Sequence, residues 1–197
     1  MAGWGSGGAL GRAGGTATDA SHADGVTAEI GGQGLAIGEE TSATGDATLA
    51  IVDRGPITVV TGTASITSTA ASPVEEQTSV QADTFASATG ADFVFTFTTD
   101  TFDAGTSGSE AWETATSTTR LFAVDIHGFD FATGPQTVEI DVTRALGGAH
   151  SPVSGNLATA TADSDAYGDA TYTLALTDTF TTDTASGVAV DAYGLVA

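Results

Sequence analysis

From Val26 onward the chain alternates apolar and polar residues, and Gly, Pro and Asp break the alternation at short intervals. A period of two is the pattern of strands with one face turned inward, not of helices. VTAEI (26–30), a GGQG turn and LAIG (35–38) come first, then ATLAIVD (47–53), an Arg54-Gly55-Pro56 turn and ITVVTGTASIT (57–67). Short β-favouring runs with such punctuation predict a β-meander. Ser72-Pro73-Val74-Glu75 interrupts it. A capping hydroxyl, a proline at the first helical position and a Glu three residues after the cap predict a short helix over 73–82. The alternative is a loop leading into a strand at 78–85.

The clearest strand is DFVFTFTT (92–99), where Phe93, Phe95 and Phe97 share one face. Three stacked phenylalanines are expected in the core. An acidic loop, TDTFDAGTSGSE, follows, with a helical turn around Trp112. RLFAVDIHGFDF (120–131) and QTVEIDVTRAL (136–146) predict a hairpin joined at 132–135, with Val138, Ile140 and Val142 buried and Glu139 and Asp141 wet. NLATATA (156–162), ATYTLAL (170–176) and GVAVDAYG (187–194) complete the set, and Tyr172, Leu174 and Leu176 again share a face expected to be core. The fold class expected is all-β, an antiparallel β-sandwich or jelly roll with at most one or two short helices. A β-solenoid is the alternative. TFTTDT recurs at 96–101 and 179–184, and DAYG at 165–168 and 191–194. The two spacings are unrelated, which argues against a repeat array.

Composition adds the setting. The 197 residues carry a net charge of −21, with Arg12, Arg54, Arg120 and Arg144 the only basic residues apart from three histidines. Such a chain is repelled by phosphate backbones and anionic lipid, so neither nucleic acid nor a membrane surface is an expected partner, whereas cations are. No run approaches the roughly 20 apolar residues of a transmembrane helix. Residues 1–24 form a Gly-rich N-terminal arm, and 25–197 read as a single β-sandwich domain. Such an arm, when ordered, is held by its own fold or by a neighbouring copy. The N-terminus lacks the basic and apolar regions of a secretory signal peptide. There is no cysteine or lysine, one methionine and a single asparagine, Asn156. That profile suits a durable extracellular material and equally a high-salt proteome.

Candidate chemistry is sparse. Asp163, Asp165 and Asp169 around Gly168 follow the opening of a Ca²⁺ loop, with oxygen ligands at positions one and three and glycine at six. Tyr167 at position five and Leu174 at position twelve depart from the EF-hand pattern. The stretch therefore reads as a strand-connecting acidic turn or a looser calcium site, followed by a core strand. Asp100 and Asp103 form a second candidate metal pair, and Asp125 with Asp130 a third. GGQGLAIG (31–38) resembles the glycine skeleton of the RTX calcium-binding nonapeptide, with Ala36 where that motif carries Asp. The Thr- and Asp-rich C-terminal region, ending in GLVA, resembles the uncleaved signal of bacterial type I-secreted proteins. GDATYTLALTD (168–178) is similar to a strand of bacterial Ig-like extracellular domains. These resemblances imply an extracellular or cell-surface β-protein exported without an N-terminal signal peptide, with Ca²⁺ as a ligand. A virion location is the alternative.

Motifs for nucleophilic, metallohydrolase or nucleotide chemistry are missing, and His22, His127 and His150 stand far apart, so no enzymatic activity is expected. Three functions remain. The first is a structural subunit that assembles with copies of itself into a filament, sheet or biofilm matrix, stabilised by cations. The second is a virion decoration or tail protein. The third is a calcium-dependent adhesin or glycan-binding module, in which Trp112 or Tyr167 supplies the exposed aromatic.

Overall fold

Each alternating run becomes a strand, and what the sequence leaves open is which run it pairs with. A computed structural model describes residues 25–127, 136–145 and 154–197. The strands are β1 (Val26–Ile37), β2 (Glu40–Asp53), β3 (Ile57–Pro73), β4 (Ser79–Thr89), β5 (Phe93–Ser107), β6 (Glu110–Ile126), β7 (Gln136–Ala145), β8 (Asn156–Tyr167), β9 (Thr171–Thr182) and β10 (Ala185–Val196). Among the described residues there is no helix. Two sheets face each other and do not close into a barrel: a four-stranded sheet ordered β4-β1-β10-β9 and a six-stranded sheet ordered β7-β5-β6-β3-β2-β8. This is the expected sandwich. It is mainly antiparallel, but the larger sheet carries a parallel strand at each edge, β8 against β2 and β7 against β5. β1 and β10 pair along their full length, from Val26 opposite Val196 to Ile37 opposite Ala185.

The space between the sheets is thin and filled by small side chains. Ile30, Ile51, Val60, Ile66, Val188 and Val190 are buried with alanines from both sheets. Ile66 is the central wedge. A Cβ on Gly32, Gly34 or Gly45 would sit 2.7, 2.6 or 2.9 Å from its side chain, too close for any residue but glycine. The GGQG expected as a turn is thus the middle of β1, with Gly32 and Gly34 turned inward to admit Ile66.

Other expectations change for the same reason. A gap this narrow has no room for phenylalanine, so β5 turns Val94 and Thr96 inward and leaves Phe93 and Phe95 39% and 40% exposed. Tyr172, Leu174 and Leu176 of β9 likewise face out. The helix expected over 73–82 is absent. Pro73 ends β3, the Glu76 amide donates to the Pro73 carbonyl across a tight turn, and β4 begins at Ser79. The chain must cross between the sheets here, and the β-branched Thr78 and Val80 favour extension over helix. The acidic stretch after residue 99 and Trp112 are strand as well, with the hairpin turn only at Gly108-Ser109. β7 does not form a hairpin with β6 but runs parallel to β5. Among the described residues no strand of the smaller sheet covers β7, so Val138 and Ile140 are exposed along with Glu139 and Asp141. The expected arm over 1–24 and the joint at 132–135 lie outside the described residues.

Candidate functional site: two outward faces

Because the strands alternate, the register fixes what each sheet shows to its surroundings. On the six-stranded sheet, successive rows across β7, β5 and β6 read Gln136-Phe93-Val124, Val138-Phe95-Phe122, Ile140-Phe97-Arg120, Val142-Thr99-Thr118 and Arg144-Thr101-Thr116. No acidic residue lies in this block. Phe95, Phe97, Arg120 and Phe122 line a shallow depression together with Gly62 and Thr63. Neither Arg120 nor Arg144 reaches a carboxylate among the described residues.

Beyond β6 the same face changes character. β3, β2 and β8 present Thr and Ser in register, and their hydroxyls pair across strands: Ser65 with Thr118, Thr67 with Thr116 and Thr69 with Thr114, each at 3.2 Å. Thr161 of β8 donates to Asp46 of β2. Thr keeps such a face wet while fitting the pleat through its β-branch, and the charges on this part of it are carboxylates, among them Asp46, Asp163 and Asp165.

The four-stranded sheet has its own outward pattern. Tyr172, Leu174, Leu176 and Phe180 of β9 lie beside Tyr193 and Leu195 of β10, and Leu35, Ile37 and Phe85 lie farther across. Tyr172 meets Tyr193 edge to face with ring centroids 6.1 Å apart. Phe180 lies over Gly187 and Phe85 over Gly31, where a side chain would collide with the rings. Charges on this face are all acidic: Glu29, Asp83, Asp178 and Asp191.

The carboxylates singled out from the sequence fall in separate places. Asp163 and Asp165 occupy the outward face of β8, opposite Thr48 and Ala50, and line a second depression with Thr61 and Thr63. Asp169 lies in the 168–170 turn that follows. The stretch expected as a turn is therefore mostly strand, and only its last residues turn. Asp100 and Asp103 are three apart on β5 and so project from opposite faces. Asp125 pairs with His127 at 3.2 Å, while Asp130, His22 and His150 lie outside the described residues. Among the described residues no three His, Asp or Glu side chains come together as a cation site. Trp112 is 6% exposed, packed over Gly105, which removes it as a glycan platform; Tyr167 is exposed at the end of β8.

One polar cluster was not anticipated. Asn156 Oδ1 accepts from the Thr41 amide at 3.0 Å and the Thr41 hydroxyl at 2.6 Å, and Thr41 Oγ1 lies 2.7 Å from Ser186 Oγ. The cluster ties β8 to β2 and, through Ser186, to the opposite sheet. The only sequence signal for it is that the chain contains one asparagine.

The fold and its surfaces define an all-β sandwich whose distinctive chemistry is spread over two broad outward faces. Comparison with protein-family models, with curated proteins and with solved structures found no match.

Proposed function

We propose that the protein is a structural subunit, acting outside the cell, that assembles with copies of itself into a filament, sheet or matrix, with cations such as Ca²⁺ offsetting its excess of carboxylates. The observation that carries this reading is that large apolar side chains face outward on both sheets at once. Isolated exposed apolar residues are ordinary, but contiguous patches mark surfaces that bind. Covering the exposed half of one such side chain is worth about 1 kcal/mol, so a face carrying six or more of them sets a sizeable term against the cost of association. The net charge of −21 opposes contact until it is screened or neutralised.

Sedimentation velocity tests the reading, first with chelator and then with millimolar Ca²⁺ at constant ionic strength. Growth into large species on neutralisation is the expected result. A monomer at every salt and calcium concentration overturns it.

A further inference from the structure

The outward faces differ in charge, and that difference selects how copies meet. The β7–β5–β6 block carries Arg120 and Arg144, two of the four arginines in the chain, and no acidic residue down to the Thr101 row. The outward face of the four-stranded sheet carries Glu29, Asp83, Asp178 and Asp191 and no basic residue. Both faces are otherwise apolar and aromatic. Resting on the self-assembly reading, we propose that copies stack front to back, the arginine-bearing block of one sandwich seated on the acidic aromatic face of the next.

The alternatives bring like charge together. Two four-stranded faces in contact would oppose four carboxylates to the same four, and two β7–β5–β6 blocks would oppose arginine to arginine. Like charges in a desolvated contact cost free energy and exclude wrong partners. Between these two surfaces only the front-to-back arrangement pairs opposite signs; Asp46, Asp163 and Asp165 share the six-stranded sheet but lie toward its far edge, on β2 and β8. Asp83 and Asp178 share one register row at the two edges of their sheet, about 14 Å apart at a strand spacing of ~4.8 Å. Arg120 and Arg144 are two strands and four residues apart, about 17 Å by the same geometry. Arginine's long side chain bridges that difference. The four-stranded face, with strands of 11 or 12 residues, spans roughly 40 by 19 Å, or about 760 Å². Seated in full it covers the block, about 30 by 14 Å, together with β3 and the Asp103 row beside it. A specific interface of ordinary size buries about 800 Å² per partner.

The contact joins two different surfaces, so it does not close on itself as a twofold dimer does. Repeating it builds an open stack.

Two charge-reversed variants test the arrangement: R120E/R144E on one face and D83R/D178R on the other. All four side chains are exposed, and circular dichroism with thermal melting of the dilute monomer checks that each variant folds. Each alone is expected to raise the concentration needed for assembly by about tenfold or more. Mixed in equal amounts, they are expected to co-assemble, because each face then meets its complement on the other variant. Assembly of R120E/R144E at the wild-type concentration, or a mixture no better than its components, overturns the front-to-back contact while leaving self-assembly standing. A wild-type protein that never assembles overturns both.

Discussion

Ile66 shows how closely single residues set the thickness of this sandwich. Its side chain fills the hollow left by Gly32, Gly34 and Gly45 on two strands of opposite sheets, so it and the glycines form one packing unit. Gly34→Val drives a side chain into Ile66 and Ser68 and is expected to cost about 1–3 kcal/mol, read as a lower thermal midpoint. Ile66→Ala empties the same hollow at about 2–5 kcal/mol. The double variant is expected to be more stable than the sum of the two, since each change relieves the other. Strict additivity would show that the contact does not govern packing. The Thr41–Asn156–Ser186 cluster gives a polar counterpart. Thr41→Val removes the hydroxyl that bonds Asn156 Oδ1 and Ser186 Oγ, leaving each with only a backbone partner on residue 41, and is expected to cost about 1–3 kcal/mol. Thr44→Val, on the outward face of the same strand, is expected to change stability by no more than about 0.5 kcal/mol. Denaturant unfolding of the two variants side by side distinguishes a structural knot from a chance alignment of hydroxyls.

At the scale of elements, β9 separates fold from surface. Leu174→Thr with Leu176→Thr puts strand-favouring β-branched residues in an exposed strand, so the melting of the monomer is expected to stay within about 0.5 kcal/mol of wild type. Assembly is expected to weaken strongly, measured by sedimentation. Loss of stability without loss of assembly would mean that the leucines serve the fold. Most of the strands were legible because a period of two is written in them, and the Arg54-Gly55-Pro56 turn delimits a true hairpin. The start of β4 and the far half of β5 were not, since cap and loop signals there pointed to a helix and an acidic loop. Which face points inward was not legible. In DFVFTFTT one parity is Phe and the other Val and Thr, and both make good strand faces; only the thin gap set by distant glycines decides for Val94 and Thr96. The partner of β7 was hidden for another reason. Pairing beside β5 is a non-local choice, and adjacency in sequence favoured β6. The helix signal at Ser72–Glu75 lost to tertiary demand, as a local cap does when the following residues are drawn into a sheet. The outward arginine–carboxylate sorting needs the register of both sheets and could not be read from the chain alone.

At the scale of the whole molecule, front-to-back contact predicts stacks without a preferred length, seen by electron microscopy as a broad distribution and not as one discrete oligomer. Salt and calcium act on such stacks through the overall charge, while the face variants act through local pairing, so the two influences are separable by titrating each variant with Ca²⁺. The pairing of β1 with β10 carries a further consequence, one of timing. β1 leaves the ribosome first of the ten strands, yet its neighbour in the middle of the four-stranded sheet is the last to be made. Until β10 emerges, β1 lacks that neighbour and β9 lacks the one strand that pairs with it among the described residues. Non-local pairing of this kind is slow and must wait for the loop to close. A chain shortened to residue 184 is therefore expected to show no cooperative melting, and the nascent sandwich stays unfolded until β10 has emerged.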